Sequence, residues 1–194
     1  MSSQSESSLS TASARRTRVS SGLRRSGWIC FWVQLILGIV SSIILLFAML
    51  VLGQESSQRS NAGIGGGLLF AIAGLLALAF SIYRAFYHTR LGRELKSPNG
   101  SYPSRADTLK QMRITMISNL TGMALTLIGS EAVNGVLLAK TLAQPRGFFD
   151  ASTNLRDFIQ PLDIFIVLAN THAAVAHFVG IIATIWLIER INKD

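Results

Sequence analysis

Residues 164–188 read IFIVLANTHAAVAHFVGIIATIWLI, a run without a single Asp, Glu, Lys or Arg. At a rise of about 1.5 Å per residue, a helix of this length crosses the ~30 Å hydrocarbon core of a bilayer. Three further apolar runs cover residues 29–52, 64–83 and 114–139. Four such runs in 194 residues leave little chain for any other kind of core. Backbone polar groups in lipid must be satisfied within the segment itself, so each run is expected to be a helix. The fold class read from the sequence is all-α, an integral membrane bundle of four transmembrane helices over residues 27–190.

The net charge of +8 raises nucleic acid as a partner, but the placement of the charge speaks for topology instead. Arg15, Arg16, Arg18, Arg24 and Arg25 precede the first run. Arg84, Arg90, Arg93, Lys96, Arg105, Lys110 and Arg113 lie between the second and third, and Arg190 and Lys193 follow the fourth. The other two loops hold Arg59, Lys140, Arg146 and Arg156. This asymmetry puts the N and C termini and the middle loop on the cytoplasmic or stromal side. Trp28, Phe31, Trp32 and Trp186 fall at that same end, as an interfacial aromatic belt requires. Nucleic acid is not an expected partner; membrane lipid is.

Residues 1–26, rich in Ser and Arg, are expected to form a disordered tail, since they offer too little apolar surface to fold. Cys30 is the sole cysteine, so no intrachain disulfide or thiol metal cluster can form. The middle loop carries a turn signal at Ser97-Pro98-Asn99-Gly100, and Asp107 is placed to cap an extension of the third span. Residues 140–163 mix Phe148, Phe149, Phe158 and Ile159 with Asp150, Arg156 and Asp157. Two readings stand there, an interfacial segment and a folded cap. No internal repeat is evident.

Small residues set how closely the helices approach. Ala169, Ala173, Ala176, Gly180 and Ala183 form one stripe on the fourth span, and Gly63, Gly67, Ala71 and Gly74 do the same on the second. The bundle's own packing explains both, with a homo-oligomer interface as the other reading.

Ionisable groups inside a span are costly unless paired or wet, and there are three: Glu131, His172 and His177. Counted from Lys140 and Asp163 as the outer ends, Glu131 and His172 share one depth, so a Glu131–His172 pair is expected. Asn134 and Asn170 occupy the neighbouring layer. Carboxylate plus imidazole suits iron, zinc or manganese, which makes Glu131 and His172 the candidate metal ligands. His172 and His177 flank the small-residue stripe by roughly 60° and 80° on opposite sides, so one helix does not present both to one ion, and haem is not expected. Two roles remain for the layer, a register-fixing hydrogen-bond network and a transport or proton path. His88 reads as a loop residue at the headgroup boundary. No nucleophile, base and acid stand together, so no enzyme is expected.

Several stretches are similar to one known family: Gly27-Trp28 with Phe31-Trp32-Val33-Gln34-Leu35, Ser81-Ile82-Tyr83-Arg84 and Ala106-Asp107-Thr108-Leu109. Asn119-Leu120-Thr121-Gly122-Met123, Ile159-Gln160-Pro161-Leu162-Asp163-Ile164 and Ala176-His177-Phe178-Val179-Gly180 extend the likeness. Together they resemble the Tic twenty-one family, also called permease in chloroplasts, of the plastid inner envelope and cyanobacteria. The resemblance runs from about Gly22 to Ile188. The short N-terminal stretch departs from the plant members and points to a cyanobacterial plasma or thylakoid membrane as the other location.

The resemblance implies two roles, an iron permease and a component of a protein-conducting complex. For the permease, Glu131, His172 and Asn170 are the implied path residues, with His177 as relay and iron or a related divalent metal as cargo. For the complex, the small-residue faces and the basic middle loop would meet other membrane proteins or further copies. An assembly subunit with no transport of its own is the alternative. A single four-helix bundle has little room for a pore, so transport calls for an oligomer.

Overall fold

The computed structural model describes residues 2–55, 62–94, 104–143, 159 and 161–193. Within them lie four helices: α1 (Ser2–Glu55), α2 (Ala62–Glu94), α3 (Arg105–Ala143) and α4 (Pro161–Lys193). Each holds a segment long and apolar enough to cross a membrane: Thr17–Val51, Gly65–Glu94, Arg105–Leu142 and Asp163–Lys193. Sequence neighbours pack on one another and α1 closes the ring against α4. Contacts between Ser20 and Gly92, Ser41 and Ala169, and Lys140 and Asp163 fix the antiparallel order. The first part of α1, the end of α2, the start of α3 and the end of α4 therefore share one end of the bundle. That end is the basic one.

Burial recurs every seven residues on all four helices. In α1 the buried series is Ser20, Gly27, Gln34, Ser41 and Ala48; in α2 it is Gly67, Gly74, Ser81 and His88. Met112, Asn119, Thr126 and Val133 repeat it in α3, as do Asn170, His177, Thr184 and Ile191 in α4. Seven residues per two turns is the spacing that keeps one seam facing its partners in a coiled bundle. Large apolar side chains crowd every face of these spans, so the period shows in the small and polar residues.

Those residues make the bundle inside-out relative to a water-soluble one. Gln34, Ser81, Asn119, Thr126, Asn170 and His177 are buried, while Ile36, Ile43, Leu46, Leu69, Leu76, Leu120 and Phe178 point outward. Lipid tails solvate the outer side chains as well as a core would, so the interior is free to hold hydrogen-bonding groups. Apolar layers alternate with them. Leu23, Met112, Leu187 and Ile191 close the basic end, and Ala48, Val133 and Ile166 close the other.

Three expectations about the ends change. The stretch 1–26 is not a tail throughout, since α1 begins at Ser2 and both Ser20 and Leu23 are buried. Ser20 Oγ donates to the Gly92 carbonyl at 2.5 Å, and Leu23 joins the apolar layer at that end. Residues 84–94 continue α2 instead of opening a loop, because Arg84, Ala85, His88 and Leu91 keep a buried face. Ser104 rather than Asp107 caps α3. Its hydroxyl accepts from the Asp107 backbone N–H at 3.0 Å, as an N-cap does, and donates to the Asp107 carboxylate at 2.7 Å. The turn at 97–100 and most of the 140–163 segment lie outside the described residues. The flanks of that segment are joined by the Lys140–Asp163 ion pair, at 2.6 Å and largely buried.

Candidate functional site

One hydrogen-bonded layer ties all four helices together. Gln34 Nε2 of α1 donates to Asn119 Oδ1 of α3 at 2.9 Å and to the Ala176 carbonyl of α4 at 3.2 Å. His177 of α4 sets Nδ1 at 3.2 Å from the same Asn119 oxygen and Nε2 at 3.3 Å from the Gly74 carbonyl of α2. Asn119 Nδ2 donates to the Thr115 carbonyl one turn back, which fixes the amide's orientation. Gln34 and His177 are 0% exposed, so the layer is cut off from both lipid and water.

Glycines make the space for it. A Cβ on Gly180 would fall onto Asn119 Oδ1 and Gln34 Nε2, and one on Gly122 would fall onto the His177 ring. Close approach of α2 and α3 continues beyond the layer, where Gly67 and Gly129 face each other's backbones at about van der Waals limits. The interior at this level is filled by side chains and backbone rather than open.

The chemistry of the layer is acceptor-rich around His177. Both ring nitrogens face carbonyl-type oxygens, while a neutral imidazole carries one N–H. The ring donates to one of the two when neutral and to both when protonated. Among the described residues, Gln34 Oε1 and Asn170 Nδ2 are buried without a hydrogen-bond partner.

A second polar node joins α2 to α3 nearer the basic end. Arg84 Nε donates to Thr115 Oγ1 at 3.1 Å, and its Nη2 reaches the Gln111 carbonyl and side-chain oxygens at 2.8 and 2.7 Å. His88 Nε2 sits 3.1 Å from Thr115 Oγ1, and the Tyr87 ring lies 5.5 Å from the guanidinium carbon. His88, expected in a loop at the headgroups, is thus a buried helix residue.

The expected Glu131–His172 pair is not formed. Glu131 lies midway between buried Gly129 and Val133, about 200° around the helix from each, and is exposed on the outer face of α3. His172 is half-buried, its Nδ1 2.8 Å from the Leu168 carbonyl of its own helix. Asn134 is exposed beside Glu131, whereas Asn170 is buried. The proposed polar cluster between spans three and four is replaced by the layer around Asn119. Among the described residues no three of His, Cys, Asp and Glu converge on a point where an ion would sit.

Of the small residues, Gly67, Ala71, Gly74, Ala169, Ala173, Ala176 and Gly180 face the interior. Ala183 is half-buried, its place on the seam taken by Thr184, and the Gly63 environment lies outside the described side chains. Gln34 and Asn119, central to the layer, are absent from the sequence-based candidates because neither is ionisable. Their signal is position, since Gln34 sits seven residues from Gly27 and Ser41, and Asn119 seven residues from Thr126.

A family model described as "Protein of unknown function (DUF3611)" matches residues 13–192. The chain belongs to that family. In a separate comparison, "Protein TIC 21, chloroplastic" of Arabidopsis thaliana is 29% identical over 189 residues, which cover 95% of this chain and 61% of the relative. The chain thus spans about three fifths of that relative's length. The Tic twenty-one resemblance drawn from the short motifs is thereby established as a family relation. No solved structure matches the DUF3611 chain.

Proposed function

We propose that this chain is a non-enzymatic subunit of a membrane transport or translocation assembly, with any conducted path lying between chains rather than through one bundle. The observation that carries this is the closed layer formed by Gln34, Asn119 and His177, where glycine positions already lack room for a methyl group. Glu131 and Asn134 lie exposed on one side of α3, where hydrocarbon would penalise a carboxylate by several kcal/mol. A second copy or another membrane protein relieves that penalty by covering the face.

Kinship with a chloroplastic relative supports a plastid membrane as the location, the Tic twenty-one resemblance implies the inner envelope, and the charge bias puts the basic end on the stromal side. Iron and protein, the cargoes implied by the Tic twenty-one family, both suit an assembly of this kind.

The test is iron uptake into proteoliposomes by wild type, Glu131→Gln, His172→Ala and Gln34→Leu. Protein-dependent uptake lost in Glu131→Gln supports a path along the α3 face. Uptake lost in Gln34→Leu while its stability holds would put the path through the bundle and overturn the reading. No uptake by any form supports the alternative, an assembly subunit without transport of its own.

A further inference from the structure

At the basic end, α1 and α4 part to leave a groove of about 530 Å³. Its deeper walls are apolar, formed by Ile29 and Cys30 on one helix and Val179, Ile182 and Ala183 on the other. Its mouth carries Arg25 and Arg190, and among the described residues no carboxylate lines it. We propose that this groove binds one anionic phospholipid, its phosphate on Arg25 and Arg190 and the first part of an acyl chain along Ile29, Ile182 and Ala183.

Arg190 is held in place for this. Its guanidinium lies 5.1 Å from the centre of the Trp186 ring. Its stem crosses α1 at Gly22, where a Cβ would stand 3.2 Å from Arg190 Cδ. An arginine stacked on an indole and packed over a glycine has already lost much of its rotamer freedom, so an anion binds it at less entropic cost. Ser26 Oγ, also lining the groove, is buried without a hydrogen-bond partner and supplies a hydroxyl for a phosphate or ester oxygen.

Depth and charge agree. Trp186 and the stacked pair Trp28–Trp32 mark the headgroup level, so the two arginines meet phosphates there while the apolar walls continue into hydrocarbon. A smaller cavity of about 270 Å³ adjoins the mouth through Trp186 and Arg190 and adds Arg18 and Lys193. Glu189, the one acid lining it among the described residues, lies 3.8 Å from Lys193 in an exposed ion pair. Basic pockets between helices at this depth have the chemistry of anionic headgroup sites.

The test uses the full chain with Trp28→Phe and Trp32→Phe, leaving Trp186 as the reporter, reconstituted in bilayers of brominated phosphatidylglycerol or brominated phosphatidylcholine. Preferential quenching by phosphatidylglycerol, roughly tenfold in relative association constant, is expected. Arg25→Gln with Arg190→Gln should bring that ratio close to one. Arg93→Gln with Arg113→Gln, at the same end but off the groove, should leave it. Ala183→Phe, which fills the apolar wall and keeps both charges, should lower quenching by both lipids.

Equal loss in the groove and control pairs would overturn the site, reducing it to general attraction by the basic end. Displacement of phosphatidylglycerol by millimolar inorganic phosphate would overturn the lipid assignment. Weak quenching by both lipids that rises as the protein is diluted in the bilayer would mean that another copy fills the groove, and would overturn it as well.

Discussion

Gln34 Nε2 and Asn119 Oδ1 meet at 2.9 Å, joining α1 to α3 across the diagonal of the bundle. The other diagonal pair, α2 and α4, approaches backbone to backbone, whereas α1 and α3 lie farther apart and are bridged by this long side chain. Asn119 therefore links three helices at once, accepting from Gln34 of α1 and facing His177 of α4. In lipid, where apolar burial between helices gains little, such bonds and close packing fix the arrangement.

Asn119→Leu should destabilise the protein by about 1–3 kcal/mol, because it leaves the buried Gln34 N–H without its acceptor and takes away the oxygen that faces His177 Nδ1. Gln34→Leu removes that donor, so the double variant should cost less than the sum. The expected coupling is roughly 0.6–1.7 kcal/mol, read from reversible unfolding in mixed detergent micelles. Strict additivity would mean the bond contributes nothing.

Gly180→Ala and Gly135→Ala are the same chemical change in opposite surroundings. At Gly180 the new methyl meets Asn119 Oδ1 and Gln34 Nε2, while at Gly135 it meets nothing within 4 Å. The first should cost about 1–3 kcal/mol through overpacking. The second should fall within about 0.5 kcal/mol of wild type, helix propensity offsetting any loss. Thermal aggregation curves in one detergent compare them, and equal shifts would refute the tight layer.

Arg84→Lys should behave as a disruptive change in spite of the retained charge. The guanidinium spans Thr115 Oγ1 and both Gln111 oxygens at once, which one ammonium cannot do. A loss of about 1–2 kcal/mol is expected, with Thr115→Val less than additive to it because the two share one network. Detergent unfolding of both single variants and the double checks this.

The four spans were legible because composition alone specifies a lipid-crossing helix; no partner need be known. Helix ends were less so. Arg84 and His88 look like loop residues by hydropathy, and their hydrogen bonds to Thr115 are visible only once α3 lies beside α2. Depth along a span was also readable, but depth without rotation misled. Glu131 and His172 share a level, yet Glu131 stands half a turn away from the seam marked by Gly129 and Val133. Rotation was encoded in the seven-residue recurrence of Gln34, Ser41 and Ala48, which small and polar residues carry and hydropathy hides.

Orientation in the membrane rests on unequal charge at the two ends. Arg18, Arg24, Arg25, Arg93, Arg105, Arg113 and Lys193 gather at one end and stay exposed. At the other, Lys140 is neutralised by Asp163 at 2.6 Å and adds little retention signal. With Cys30→Ser removing the buried native thiol, a cysteine at Lys193 should resist a membrane-impermeant maleimide in intact bacterial cells expressing the chain. It should react only after permeabilisation. A cysteine at Leu142, exposed at the far end of α3, should react in intact cells. The reverse pattern would place the basic end outside, so that the Arg25–Arg190 groove would face the other leaflet.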